Sequence, residues 1–371
     1  MKCNYIDTQN KSNLKITFFN NYFYFYQMIK IRIGLLCLLM GTSYSVFSQQ
    51  RPHYTQYIMN NFILNPAVAG IENYWDMKAS NRMQWVGLQD APVTTYVTIH
   101  GPFEKTAYGR ETPTTFHAYG DNPRGTSYWD EYTKTDPHLG FGASFISDKT
   151  GPLTTNSASV ALAYHFGISP KTSLSIGLGL GFNQLTLDVN KLNFAVPYDP
   201  VVYSSINNSL INRIKPDASA GIWLYSSNYF LGISAQGILS QKISFSDSLT
   251  TTQEGKLEPH LFASAGVRLF LSEDWNFLPS LTLRKVNAMP LGIDINGKFQ
   301  YKDLFWFGAS FRHQDGFAGM VGMNLSNSIN LGYSYDVTTS QLNTVSKGTH
   351  ELLIGFLIGN RYGDWCPRNL W

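Results

Sequence analysis

Apolar and polar residues alternate along residues 172–184. Leu174, Ile176, Leu178, Leu180 and Phe182 occupy every second position, and small or polar residues fill the positions between them. Because successive side chains of an extended chain point to opposite faces, the pattern predicts a strand with one apolar face. Strands of soluble proteins usually have ~5–6 residues, whereas ~9–11 cross a bilayer as a tilted strand. The stretch is therefore typical of a membrane-crossing strand, provided that the rest of the chain repeats it.

The same pattern recurs and predicts fourteen strands. They span about 73–84, 92–100, 138–147, 156–167, 172–184, 216–226, 228–239, 257–271, 274–285, 290–301, 303–313, 315–325, 327–336 and 348–358. An even number of strands is typical of bacterial outer-membrane barrels, which have short periplasmic turns and long outer loops. Five short links fall on one side and the long loops 185–215, 240–256 and 337–347 on the other. The predicted fold class is all-β: a transmembrane outer-membrane antiparallel β-barrel of about 14 strands.

The polar stretch 101–137 does not fit this scheme, because it falls on the side of the short turns. Three explanations stay open for it. It is a functional periplasmic feature, an insertion without a role, or a sign that the first two strands are out of register. Long surface insertions are tolerated well enough that length alone does not decide.

Seven charged residues fall on the face opposite the apolar row of their strands. They are Arg268, Arg284, Asp294, Lys298, Arg312, Asp336 and Glu351. An Arg or Lys on the lipid face near the midplane would cost about 2–4 kcal/mol. This cost explains why the charged residues lie on the face opposite the apolar row. We expect a network of these charges either to brace a plugged lumen or to line a path for solutes.

Composition supports a membrane barrel. Charged residues make up 14% of the chain, aromatic residues 15%, and there are 31 glycines. Soluble domains carry roughly 25% charged residues. Beyond the N-terminal region, the chain has no run of ~20 apolar residues of the kind that forms a membrane helix.

The N-terminal region predicts processing. Residues 28–48 combine a basic start, an apolar stretch and a small-residue cleavage site, which is typical of a signal peptide. We expect residues 1–27 to be a mis-annotated extension, 49–72 a plug-like segment, 73–358 the barrel and 359–371 a C-terminal tail. Removing residues 1–48 leaves Cys366 as the single cysteine, and the charge changes from 28 − 25 = +3 to 23 − 24 = −1. The chain therefore gives no indication of nucleic-acid binding.

No catalytic, metal or cofactor motif is recognisable in the sequence. The eight histidines are scattered, and Gly177-Leu-Gly-Leu-Gly is strand alternation and not a nucleotide fingerprint. His165 and His313 lie on or beside inward faces. A lipid-cleaving barrel could use them with an inward serine, but hydrogen-bonded lumen histidines are the commoner case. We expect no enzyme activity.

Several motifs together resemble the PorP/SprF family of the type IX secretion system. The N-terminal ones are Tyr54-Thr-Gln-Tyr, Leu64-Asn-Pro-Ala-Val-Ala-Gly and Arg82-Met-Gln-Trp-Val-Gly-Leu. The C-terminal ones include Phe305-Trp-Phe-Gly-Ala-Ser-Phe-Arg and Gly348-Thr-His-Glu. On this resemblance the plug and motif residues are Tyr54, Gln56, Tyr57, Asn65, Pro66, Ala67, Gly70, Arg82, Gln84, Trp85 and Gly87.

The resemblance implies a fourteen-strand barrel, similar to fatty-acid transport barrels, in the outer membrane of Bacteroidota. It also implies a non-enzymatic role in type IX secretion and gliding. The partners would be a large secreted adhesin-like protein, other secretion components and outer-membrane lipids. Two alternatives stay open: a passive channel for hydrophobic solutes, and a soluble β-sandwich adhesin or lectin.

Overall fold

The protein is described by a computed structural model of the 371-residue chain. It describes residues 52–103, 134–188, 191, 210–226, 228–239, 242–243, 255–256, 258–287, 289–302, 304–326 and 328–360. The predictions for the N-terminal extension, the signal peptide, most of the 101–137 stretch and the tail after Asn360 lie outside the described residues. So does much of the predicted loops 185–215 and 240–256.

Fifteen hydrogen-bonded segments form one sheet in the described part of the chain. They make fourteen strands, because β8 consists of two pieces separated by Arg268. The strands are β1 (Trp75–Met83), β2 (Val93–Pro102), β3 (His138–Thr150), β4 (Leu153–Ser169), β5 (Thr172–Asp188), β6 (Leu210–Ser226), β7 (Tyr229–Gln236), β8 (His260–Val267 and Leu269–Phe270), β9 (Trp275–Val286), β10 (Gly292–Tyr301), β11 (Phe305–Arg312), β12 (Gly316–Ser326), β13 (Ile329–Thr338) and β14 (Thr349–Ile358). A separate pairing joins Lys242–Ile243 to Gly255–Lys256.

The sheet closes on itself. Each strand pairs antiparallel with its neighbours in the sequence, and β1 pairs with β14 in a register that places Arg82 opposite Glu351. The predicted fourteen-strand antiparallel barrel is confirmed. The main difference is at β5 and β6, which continue to Asp188 and begin at Leu210. The predicted loop 185–215 is therefore shorter than expected, because cross-strand pairing extends both strands beyond their apolar alternation.

The two faces of the wall differ in polarity. Apolar side chains such as Leu178, which is 64% exposed, point outward around the barrel, while charged and small residues point inward and are buried. An apolar outer face is favourable when it contacts lipid. The apolar belt therefore lies in a membrane.

Among the described residues, no helix combines the length and the apolar character that crossing a bilayer requires.

The barrel has two distinct ends. At the short-turn end, residues 170–171, 227–228, 271–274, 302–304 and 327–328 connect the strands, and residues 103–137 form the long exception. At the long-loop end, the links are 84–92, 151–152, 189–209, 237–259, 287–291, 313–315 and 339–348. In outer-membrane barrels the longer loops face the cell exterior and the short turns the periplasm.

Candidate functional site

Residues 52–74, which precede β1 and are called the plug below, lie inside the barrel. They contain three short 3₁₀ turns, Gln56–Met59, Asn61–Ile63 and Pro66–Val68. Pro66 suits the start of the third turn, since proline has no N–H to leave unpaired, and the Asn65 side chain accepts a hydrogen bond from the Ala67 N–H at 2.9 Å. The apolar residues of the plug are buried against the wall: Tyr54, Tyr57, Ile58, Met59, Phe62, Ile63, Leu64, Ala67, Val68, Ala69, Ile71 and Tyr74. Burying this surface is a large favourable term for the plug's position.

The wall contacts the plug from all sides. Plug residues form hydrogen bonds with strands β1, β2 and β14 on one side, and with β4, β5, β6 and β7 across the lumen. Asn296 of β10 donates to the Tyr57 hydroxyl at 2.6 Å, and burial raises the pKa of that hydroxyl to about 12. Because these strands surround the lumen, the plug occupies its interior.

A group of charged side chains meets at Thr55. The Thr55 N–H donates to Glu351 at 2.7 Å, and its hydroxyl donates to Asp336 at 2.7 Å. Arg82 donates to the same hydroxyl at 2.8 Å and Arg312 at 3.2 Å. Thr55, Arg82, Arg312, Asp336 and Glu351 are called the Thr55 clamp below.

The charges of the Thr55 clamp compensate one another. Arg82 bridges Asp336 at 2.7 Å and Glu351 at 3.0 Å, and Arg312 lies 3.5 Å from Asp294. Glu351 is 0% exposed. Removing one partner of a buried ion pair leaves an uncompensated charge and costs about 3–5 kcal/mol, even though the intact pair adds little net stability. The clamp therefore fixes the position of Thr55 more than it stabilises the barrel.

Polar wall residues hold the middle of the plug through its backbone. Ser234 donates to the Leu64 carbonyl at 2.6 Å, and Gln236 donates to the Ile63 and Leu64 carbonyls at 2.8 Å. In return, the Asn65 amide donates to backbone carbonyls of Ile222 and Ile233. These bonds satisfy backbone groups that the short 3₁₀ turns leave without partners.

Histidines hold the C-terminal part of the plug. His165 donates from Nε2 to the Ala69 carbonyl at 2.7 Å, and His138 from Nε2 to the Gly70 carbonyl at 2.9 Å. Their rings stack with centroids 4.5 Å apart. His165 also contacts the Tyr225 hydroxyl at 3.1 Å, so its inward face carries a structural hydrogen-bond network. His313, by contrast, is exposed in a turn of the long-loop end.

Four of the predicted lumen charges form one group. Arg312, Asp294, Asp336 and Glu351 come together at the long-loop end. The backbone N–H of Arg268 donates to the Asn228 carbonyl near the opposite end, and the participation of its side chain in the network stays a prediction.

The other predicted charges and one unpredicted group occupy separate places in the lumen. Lys298 lies over the Trp306 ring at 5.2 Å, and Arg284 is half-buried on β9. Arg82, singled out only as a motif residue, is the cation at the centre of the clamp. The buried Asp76–Lys78 pair of β1, with His100 beside Asp76, was missed as well. Asp76 and Lys78 occupy alternate positions of β1, and this spacing is the signal in the sequence that could have indicated the pair.

The motif residues Gln84, Trp85 and Gly87 lie at the long-loop end, in the link between β1 and β2. This link pairs with the link before β14: Val86 donates to the Gly348 carbonyl at 2.9 Å and Lys347 to the Val86 carbonyl at 2.7 Å. Residues 84–92 and 339–348 are called the rim below. Trp85 has a positive φ of 48°, which is rare for a bulky residue, and its N–H donates to the Thr349 hydroxyl at 3.2 Å.

The described residues contain no cluster of three or more His, Cys, Asp or Glu side chains arranged to hold a metal ion.

Comparison with solved structures finds barrels of low similarity. The chain is similar to the toluene transporter TbuX of Ralstonia pickettii, at 8% identity and a TM-score of 0.44, over 81% of this chain and 92% of that one. It is also similar to the CymD monoaromatic hydrocarbon channel, at 8% identity and a TM-score of 0.43, over 83% and 94% of the two chains. Nothing about the function of this chain follows from likenesses this weak. Comparison with curated protein sequences gives no match.

The family comparison is specific. The sequence profile described as "Type IX secretion system membrane protein PorP/SprF" matches residues 46–356, which include the plug, the rim and thirteen complete strands. The match accords with the closed barrel, its apolar outer belt and the position of the motif residues. The chain is an outer-membrane, multi-pass β-barrel that belongs to the PorP/SprF family of type IX secretion system membrane proteins.

Proposed function

We propose that this protein is a non-enzymatic component of the type IX machinery that captures a large secreted adhesin-like protein and helps it reach or stay on the cell surface. The observation that carries the proposal is the occupied lumen. The plug is bonded to opposite walls, so the described barrel offers its ends, and not a pore, for contact with other proteins.

The rim is the described surface best suited to partner recognition. It carries exposed side chains of mixed character, including Gln89, Val345 and Lys347. Val345 is 58% exposed although it is apolar. Two backbone hydrogen bonds between the halves of the rim hold these side chains in a fixed arrangement, which lowers the entropy cost of binding. Of the predicted outer loops, 337–347 largely coincides with the second half of the rim; the strands that flank 185–215 and 240–256 end at the same end of the barrel, so these two loops would enlarge this surface.

Deletion of the gene tests the role in secretion. We expect at least one large surface protein to remain inside the cell or to be released into the medium, and expression of the intact chain to restore its display. Unchanged display of every large secreted protein would refute the proposal.

A single substitution tests the rim. Val345→Asp introduces a charge at an exposed apolar position, and we expect it to reduce recovery of the partner in a mild-detergent pull-down followed by mass spectrometry. Ser328→Asp places the same charge at the short-turn end and serves as the matched control. Equal recovery with both variants would place recognition elsewhere on the protein.

The alternative of a passive channel for hydrophobic solutes requires the plug to leave the lumen. The buried cluster between plug and wall, which includes Tyr54, Ile58, Met59, Phe262 and Trp306, would have to separate. Liposome swelling measures this directly, and we expect no solute flux through the intact chain while the plug stays in the lumen.

A further inference from the structure

The plug runs through the lumen in a defined direction. Thr55 contacts Glu351, the third residue of β14, and Asp336 near the end of β13, both at the long-loop end. Gly70 contacts His138, the first residue of β3, at the short-turn end. The chain then enters β1 at Trp75 on that same side. The N-terminal residues of the plug, 52–55, therefore lie at the mouth formed by the long-loop end.

His53 supports this direction independently of the Thr55 clamp. It lies within electrostatic range of Arg284, Arg312, Arg82 and His260. His260 is the first residue of β8 and Arg284 is close to the end of β9, so both belong to the long-loop end. Strands β8 and β9 do not contribute to the clamp, so their charged residues place residue 53 at the long-loop end independently of it.

The two ends of the plug are attached by different means. At the short-turn end the plug continues covalently into β1, and the Gly70 backbone packs so closely against Gly101 and Gly140 that a Cβ on Gly70 would lie 3.0 Å from the Gly101 carbonyl oxygen. Gly70 has a φ of 79°, a conformation that glycine adopts without strain. At the long-loop end, hydrogen bonds and ion pairs of the Thr55 clamp hold the plug.

We propose that the plug is hinged at Gly70 and latched by the Thr55 clamp, so that it opens from the cell-surface mouth with its N-terminal end first. The clamp must break first, because it holds the end of the plug that lies farthest from the covalent connection to β1; the hydrogen bonds of Ser234, Gln236 and Asn65 in the middle of the plug would break after it. The inference concerns the movement of the plug and holds whether or not the rim binds an adhesin-like protein.

Thiol labelling of intact cells tests the direction. His53→Cys is made in a Cys366→Ser chain and treated with a membrane-impermeant maleimide. Gln89→Cys on the rim and Ser328→Cys at the short-turn end are the controls, since both positions are exposed at opposite ends. We expect residues 53 and 89 to be labelled in intact cells, and residue 328 to be labelled after lysis.

Two further variants test the latch. Thr55→Val keeps the shape of the side chain but removes the hydroxyl that bonds Asp336, Arg82 and Arg312. We expect labelling of residue 53 to become about tenfold faster, which corresponds to about 1.4 kcal/mol, within the range for hydrogen bonds to charged groups. Ser175→Ala removes the bond from the β5 serine to the Ala67 carbonyl near the hinge, and we expect the labelling rate to stay unchanged.

The outcomes separate clearly. Labelling of residue 53 after lysis alone, or labelling of residue 328 in intact cells, would overturn the proposed direction. Equal acceleration by Thr55→Val and Ser175→Ala would overturn the latch. A barrel that fails to fold is recognised by the loss of anomalous migration in unboiled gels, and Thr55→Ala, which also removes the hydroxyl, then provides the second variant.

Discussion

Gly177 is a position where the barrel wall packs directly against the backbone of the plug. A Cβ at this residue would lie 2.5 Å from Ala67 Cα and 2.6 Å from the carbonyl carbon of Pro66. Both are backbone atoms, so no side-chain rotation can relieve the contact. Ala67 itself is 0% exposed. The perturbation that we consider is Gly177→Ala.

The size of the effect follows from these distances. Carbon atoms pack at about 3.5–4.0 Å, so the plug must move by roughly 1 Å. Such a shift strains the bond between the Ser175 hydroxyl and the Ala67 carbonyl and the Asn65 bonds to β6 and β7. Overpacking of this kind typically costs about 1–3 kcal/mol. We expect the cost to be borne by the position of the plug, because β5 keeps its pairing on both sides.

Two measurements separate plug from barrel. Plug displacement is measured by maleimide labelling of His53→Cys, and barrel integrity by migration in unboiled gels. Gly319→Ala is the matched control, because nothing lies within 4 Å of a Cβ at that outward-facing glycine. We expect Gly177→Ala to accelerate labelling, because its Cβ displaces the plug backbone and with it Thr55, whereas Ser175→Ala removes one hydrogen bond without displacing the plug. Gly319→Ala should leave the labelling rate unchanged.

The other two inward glycines of β5 differ from Gly177 in what a Cβ would contact. Gly177, Gly179 and Gly181 alternate with the outward Leu178 and Leu180 and therefore share the inward face of β5. In the structure, a Cβ at Gly179 would meet the Ser219 hydroxyl, and one at Gly181 would meet atoms of Ala158 and Ser159. Gly179→Ala should therefore affect the wall more than the plug. Labelling of Gly177→Ala that is indistinguishable from that of Gly319→Ala would refute the close packing of wall and plug.

Three further predictions concern the charges, the lipid face and the lumen. Arg82→Ala leaves Asp336 and Glu351 buried without their main cation, and we expect it to lower the free energy of unfolding by about 3–5 kcal/mol in urea titrations; a loss below about 1 kcal/mol would mean that water reaches the clamp. Leu178→Arg places a charge on the lipid face and should cost about 2–4 kcal/mol in the same titration, whereas Leu178→Ile should be nearly neutral. Deletion of residues 52–70 should permit sugar flux in a liposome-swelling assay, and a deletion variant without flux would show that other residues block the lumen.

The alternation of side chains predicted most of the barrel. All fourteen strands lie within a few residues of their predicted places, apart from the extensions of β5 and β6. The reason is local: in a membrane barrel one face meets lipid and the other the lumen, so the period of two is imposed on nearly every strand. The extensions were not predicted because they lie beyond the apolar belt. There the neighbouring strands still pair, but the two faces of each strand no longer differ in polarity, so the sequence shows no alternation.

Alternation does not predict which of the inward charges meet in the lumen. Alternation placed Arg268 and Arg312 on the same inward face but carried no information on height along the lumen. The structure places Arg312 in the Thr55 clamp and Arg268 near the short-turn end. The height depends on strand tilt and register around the whole barrel, which no single strand encodes.

The sequence by itself determined the number of strands, the side that each residue faces and the family to which the chain belongs, because these depend on short-range alternation and on motifs. The tertiary structure decided which polar groups meet. Arg82 reaches Asp336 and Glu351 across 254 and 269 residues of sequence, and this meeting exists because β1 pairs with β14 when the barrel closes. The direction of the plug depends on the same closure, since the walls that hold its two ends come from strands that are distant along the chain.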